Sequence, residues 1–339
     1  MKISYLLFVL LFFLNMILLL NINYISKFLN IIDKPDKFLK KHKKDTFLMG
    51  GPIIFFNLSI VFLYFILNLN FTNDYLIEDF TKRNLLIFFL TSLCFFFTGF
   101  IDDKYKINPN LKFAIFIAIL LFLLILDNNL LLQNISIFKT YYYIESIFIS
   151  YVFTIFCFLA FINAFNFFDG INLQIGFYSI FLIFIFFIKG FFIAFWLVLL
   201  ISIIFYLYLN FKNHSFLGDS GSLLLSFIFS YFFVLGHNNY DLFKADEIFL
   251  IMILPGIDML RLTINRFLNK KNPLYGDRMH IHHLVEQKYG SVIAPFVTIF
   301  LSCLPYALYS LFQNSILIIL LSIASYVFYI SYLTKKNFT

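Results

Sequence analysis

Apolar residues in this chain come in blocks of roughly 17 to 22, set apart by short polar stretches along the whole length. A helix of that length crosses about 30 Å of hydrocarbon. The pattern predicts eleven spans, at 3–22, 49–70, 84–101, 111–127, 144–164, 173–189, 191–209, 222–236, 247–266, 291–311 and 315–333. The sixth and seventh are divided only by Lys189-Gly190, which reads as a tight helical hairpin. Across 128–146 polar and apolar residues mix, and the count there can change by one. The expected fold is an all-α polytopic membrane protein of 10–11 transmembrane helices, folded as one integral-membrane domain over 1–339.

Charge sets the expected orientation. With the amino terminus outside and the carboxyl terminus cytoplasmic, the inner loops are 23–48, 102–110, 165–172, 210–221 and 267–290. Nineteen of the 25 lysines and arginines then fall on the inner side and six on the outer, the positive-inside bias. The net charge of +7 is therefore read as topology, and nucleic acid is not an expected partner. The first apolar run follows Lys2 and lacks a small-residue cleavage site before Asn21, so it reads as an uncleaved span. With 62% hydrophobic and 13% charged residues, a soluble globular domain is excluded. Cys94, Cys157 and Cys303 all lie inside apolar runs and are expected to be buried thiols. The 53 phenylalanines reflect a compositional bias and carry no functional reading.

Every unusual polar motif falls on the inner side. The apolar run 85–101 ends in Asp102-Asp103, followed by Lys104 and Lys106. Two carboxylates at the mouth of a membrane helix are costly unless something cationic sits there, and a divalent metal with a phosphate substrate suits them. The first inner loop carries Lys34, Lys37, Lys40, Lys41, His42, Lys43 and Lys44, then Gly50-Gly51, whose backbone amides can approach a phosphate. Asn163, Asn166, Asp169, Asn172 and Gln174 crowd into twelve residues of an otherwise apolar chain. Asn163 and Asn166 share a helix face, a stripe suited to a metal ligand and amide contacts to a sugar. Gly218-Asp219-Ser220-Gly221 reads either as a helix-capping turn or as a magnesium ligand among small residues. Pro255-Gly256 is expected to break the ninth span just before Asp258 and Arg261, which can pair with each other. Arg278, His280, His282 and His283 form a phosphate-binding cluster more readily than a zinc site, since no cysteine stands near them.

Taken together, Asp102-Asp103, the 163–172 stripe, 216–222 and the Asp277-Arg-x-His-Ile-His-His283 segment resemble the polyprenyl-phosphate N-acetylhexosamine-1-phosphate transferases of glycosyltransferase family 4. The histidine segment resembles the undecaprenyl-phosphate N-acetylglucosamine-1-phosphate branch, which initiates O-antigen, lipopolysaccharide and related cell-wall polymers. The resemblance implies a magnesium-dependent phosphotransferase of the inner (plasma) membrane with a cytoplasmic active site. Its donor would be a UDP-N-acetylhexosamine, its acceptor undecaprenyl phosphate in the lipid bilayer, and its second product UMP. It implies Asp219 as metal ligand with Asn166 or Asp169, and Asp102, Asp103, Asp169, His280, His282 and His283 as catalytic groups. Lys112, Asn163, Asn166, Asn172, Arg278, Gly50 and Gly51 would bind substrate, and a homodimer stands among the expected partners. The chain departs from the family pattern at Asn172, where an aspartate is usual, and at Thr46, where prolines are common. The competing readings are the phospho-N-acetylmuramoyl-pentapeptide transferase branch and a membrane transporter. The transporter reading predicts internal repeats and mid-membrane charges on broken helices, whereas the sequence has one broken span, no obvious repeat, and its carboxylates gathered at one face.

Overall fold

The structure, a computed structural model, describes residues 2–33, 45–67, 81–138, 140–273 and 277–335. The lysine-rich segment from Lys34 to Lys44 lies outside the described residues. The helices are α1 (Lys2–Leu20), α2 (Ile22–Leu29), α3 (Gly50–Leu67), α4 (Lys82–Tyr105), α5 (Pro109–Leu126), α6 (Ile147–Phe168) and α7 (Gln174–Ile188). They continue as α8 (Ile193–Phe211), α9 (Gly218–Tyr240), α10 (Ala245–Ile251), α11 (Ile253–Leu268), α12 (Ile281–Tyr289), α13 (Ala294–Phe312) and α14 (Ser315–Thr334). All eleven expected spans land on these helices. Seven of the described helices are long and apolar enough to cross a membrane, and eight if the bent α1–α2 pair counts as one. The protein is an all-α, multi-pass membrane protein.

Four features depart from the sequence reading. Ile22–Leu29 is a separate helix, bent by 74° from α1, where a loop was expected. The mixed stretch 128–146 holds two short paired strands, Asn134–Ile137 antiparallel to Thr140–Tyr143, whose β-branched and aromatic residues suit a strand. A shorter pair, Ile32–Asp33 with Thr46–Phe47, closes the ends of the first inner loop. The cysteines are free but only half-buried.

The chain divides into two compact units, residues 1–127 with 179–228, and residues 128–178 with 229–339. In the first, α3 packs against α8, α1 and α4. Asn15 and Asn57 join α1 to α3 through reciprocal amide hydrogen bonds of 2.7 and 2.9 Å. Each also donates to its own helix, at Leu11 O and Ile53 O, so both buried amides are satisfied. Phenylalanine pairs such as Phe55–Phe96 and Phe62–Phe89 stack at 4.1 and 3.8 Å and fill the α3–α4 contact.

In the second unit α11 packs on α6, and α12 on α13. The ninth span is broken as expected, but at Met252, three residues before Pro255. A proline lacks the N–H that would bond the carbonyl four residues back, so its effect falls on the preceding turn. That carbonyl belongs to Ile251, and Tyr178 Oη donates to it at 2.9 Å. Tyr178→Phe is therefore expected to lower stability by about 1–3 kcal/mol, the cost of a buried unpaired carbonyl. In a Pro255→Ala background, where residue 255 regains its N–H, the loss should largely vanish. Thermal denaturation in detergent measures both, and equal losses in the two backgrounds would refute this account.

Candidate functional site

In the first unit the site begins where α4 ends. Consecutive helical residues point about 100° apart, so adjacent aspartates address different neighbours. Asp102 accepts from Ile107 N at 2.6 Å through Oδ1, and from Lys112 Nζ at 2.9 Å through Oδ2. Lys112 stands in the first turn of α5, a start fixed by the Asn108 cap and Pro109. Its ammonium also reaches Asp219 Oδ2 at 3.1 Å. One lysine thus bridges two carboxylates. Asp102 and Lys112 have side chains only 9% and 15% exposed, whereas Asp219 keeps 29%.

Asp103 turns the other way. Its Oδ1 accepts from Asp219 N at 2.8 Å and its Oδ2 from Ser220 N at 3.0 Å. These are first-turn amides of α9, which no intrahelical carbonyl can satisfy. Asp103 caps a helix 116 residues away in sequence. Glycines permit the close approach: a Cβ on Gly218, whose φ is +74°, would meet Asp103 Oδ2 at 2.6 Å, and one on Gly99 would run into the Asp219 carbonyl. The segment before α9 is pinned as well. Met49 N donates to Ser215 Oγ at 2.9 Å and Phe216 N to Phe47 O at 2.8 Å. The amides of Gly50 and Gly51, expected to face a phosphate, instead donate to the carbonyls of Phe216 and Leu217 at 3.1 and 3.0 Å.

The second unit carries the histidine segment. Asp258, on α11, accepts from His280 Nδ1 at 2.8 Å, Tyr326 Oη at 2.7 Å and Arg261 Nη2 at 2.9 Å. Its two oxygens also lie 3.2 Å from Ile281 N, the first amide of α12. Arg266 is buried with its guanidinium 5.8 Å from the centre of the Phe167 ring, and donates to Asp277 Oδ2 and to the Pro273 carbonyl, both at 2.9 Å. Its Nη2 lies 3.5 Å from His280 Nε2. The ring of His282 stacks parallel to that of His280 with centroids 5.5 Å apart, and meets His283 edge-on at 4.3 Å. Both nitrogens of His282 are buried without a hydrogen bond. Burial, with His283 and His280 beside it, pushes His282 well below the ordinary histidine range and keeps it neutral at pH 7. Gly170 packs directly against His282, leaving no room for a Cβ there. Arg278 pairs with Glu286 at 3.3 Å.

Of the amide stripe, Asn163 is folded back onto its own helix, donating to Leu159 O at 2.8 Å. Asp169 ends α6, and Asn166, Asp169 and Asn172 are each engaged by neighbours. Two groups of sequence-selected residues are therefore assembled: Asp102, Asp103, Lys112 and Asp219 in the first unit, and His280, His282 and His283 in the second, with Gly170 packed against His282. Among the described residues no three His, Cys, Asp or Glu side chains form a ready metal cage. Sequence reasoning passed over Arg266 and Tyr326, and read Asp258 only as an ion-pair partner. The available signal was a carboxylate placed just after a helix-breaking proline.

Residues 85–237 match the family model of glycosyl transferase family 4. The chain is similar to an undecaprenyl-phosphate alpha-N-acetylglucosaminyl 1-phosphate transferase of Escherichia coli O157:H7, 26% identical over 275 residues, covering 77% of this chain and 70% of the relative. The protein of that name from Salmonella typhi is 26% identical over 272 residues, covering 76% and 69%. A probable undecaprenyl-phosphate N-acetylglucosaminyl 1-phosphate transferase of Bacillus subtilis is 28% identical over 193 residues, covering 55% and 53%.

Asp103→Ala strands two helix amides and is expected to lower stability by about 1–3 kcal/mol, while Asp103→Asn, which keeps one acceptor, should cost less. Thermal unfolding of both variants checks this. A loss for Asp103→Ala no greater than that for Asp103→Asn would remove the capping role.

Proposed function

We propose that the protein transfers N-acetylglucosamine 1-phosphate from its UDP derivative to undecaprenyl phosphate, releasing UMP, at the cytoplasmic face of the plasma membrane. The product would initiate a surface polysaccharide. The observation that carries this reading is Lys112 held between Asp102 and Asp219, in a chain similar to relatives named for this reaction. A phosphate monoester is already a nucleophile at pH 7, so the chain's task is positioning and charge neutralisation. An oxygen of the acceptor phosphate bonds to the sugar-bearing phosphorus as the bridging P–O bond breaks and UMP departs.

Lys112 offers its ammonium to a phosphate, with Asp102 holding it in place. On the nucleotide side, His282 and His283 offer ring nitrogens and Arg278 a guanidinium to the diphosphate. Asn172 offers a neutral amide, which donates and accepts and so suits an N-acetyl or hydroxyl group. The residues fit magnesium. Mg²⁺ keeps several waters and takes one or two carboxylates plus substrate phosphates, so it needs no all-protein cage. Asp219, the more exposed of the bridged pair, would hold it, with Asp102 beside the same lysine. When bound, the ion would neutralise charge on the diphosphate.

Detergent-solubilised protein given UDP-N-acetylglucosamine, undecaprenyl phosphate and magnesium should release UMP, and Asp219→Ala should release almost none while still inserting into membranes. Normal turnover of that variant would sink the assignment of Asp219. Orientation is checked separately. Single cysteines replacing Asn238 and Asn272 in a cysteine-free background should react with impermeant reagents from opposite sides, Asn272 from within. Labelling at 272 from outside would reverse the topology.

A further inference from the structure

We infer that Asp258 is a positioning residue for the histidine segment, one that fixes the proton on His280 and through it the presentation of His282 and His283. This rests on the proposed reading of that segment as the donor-phosphate side. Asp258 sits on α11, more than twenty residues before the histidines, with its side chain only 3% exposed. Four groups converge on it: His280 Nδ1 at 2.8 Å, Tyr326 Oη at 2.7 Å, Arg261 Nη2 at 2.9 Å and the Ile281 amide at 3.2 Å. All four are donors, so the carboxylate is the acceptor that gathers α11, α12 and α14.

The proton on His280 follows from its two neighbours. Nδ1 faces a carboxylate and must donate. Nε2 faces the Arg266 guanidinium at 3.5 Å, and a guanidinium has no lone pair to accept with, so Nε2 must carry its lone pair. The ring is therefore the neutral Nδ1–H tautomer, held between an acceptor on one side and a donor on the other. Both nitrogens of His280 are committed to the protein. Its role is then to hold the start of α12, to which His282 and His283 belong, and the phosphate contacts fall to those two residues. Arg261 strengthens the hold by donating to the Met279 carbonyl at 2.7 Å, beside His280.

Asp258→Asn keeps the shape and removes the charge. An amide nitrogen facing Nδ1 would turn His280 over to the Nε2–H tautomer, which then meets Arg266 donor to donor. The test is nitrogen-15 NMR of the full chain in detergent with labelled histidine, the His280 signals assigned with His280→Gln. Wild type should show a protonated Nδ1 and a bare Nε2, and Asp258→Asn should exchange or merge them. A bare Nδ1 in wild type, or unchanged signals in Asp258→Asn, overturns the inference. This readout needs no substrate, so it stands apart from failure of the proposed reaction.

Kinetics give the second arm. Outer groups that orient a functional histidine typically matter by about 10–100-fold. Asp258→Asn should therefore lower kcat by about that factor with little change in donor KM. The double variant Asp258→Asn/His280→Gln should be no slower than the worse single variant, since the two residues act as one unit. Multiplying losses would overturn the coupling. Should Asp258→Asn fail to fold, the wild-type spectrum alone decides.

Discussion

A carboxylate on one helix taking up the first amides of another is the interaction on which both functional clusters depend. Asp103 on α4 caps α9, and Asp258 on α11 caps α12. The first amides of a helix have no carbonyl within it, and the aligned peptide dipoles make that end partly positive. A buried carboxylate has the opposite need, since removal from water is costly without compensating donors. Joining the two deficits satisfies both inside one protein interior. It also fixes the register of the paired helices, α4 with the distant α9 and α11 with the next helix, α12.

The residue held by each cap is the one whose chemistry is of interest. Asp103 grips the backbone of Asp219 and leaves its carboxylate partly exposed, so position and reactivity are controlled by different atoms. Asp258 grips Ile281 and His280, and the next turn presents His282 and His283. Glycine is needed where a second backbone or ring comes close, as Gly99 does against Asp219 and Gly170 against His282. A methyl group at either place would force apart groups that the caps draw together. Packing density in such interiors leaves little slack to absorb it.

The helices were legible because a bilayer imposes a length, and seven of the described helices, or eight with the bent α1–α2 pair as one, meet it. The ninth span shows the limit of that reading. Pro255 marked the break, but the break lies at Met252, because proline acts on the turn before it and Tyr178 takes the carbonyl it abandons. The Asp102-Asp103 pair was legible as a site and not as two jobs. Its partners, Lys112, Asp219 and Ser220, are ten to 117 residues away, and local periodicity carries no information at that range. The hairpin at 134–143 alternates too briefly to stand out beside the apolar runs, and Gly50-Gly51 looked available because nothing in the sequence announces Phe216 and Leu217 as acceptors.

Lys112 is outnumbered by the carboxylates around it. Lys112 serves Asp102 and Asp219 with a single positive charge, and burial together with the neighbouring Asp219 pushes the Asp102 carboxyl up and that of Asp103 up to about 7. Such an arrangement would repel a phosphate if nothing else joined it, since like charges in a poorly screened setting raise each other's energy. On the proposed reading, a divalent cation arriving with a diphosphate would give that charge a partner. Unlike a cage of protein ligands, such an arrangement would make the cation's affinity depend on the substrate it arrives with. Asp219 meets that requirement geometrically: its backbone is immobilised by Asp103, while its carboxylate shares Lys112 and still faces outward.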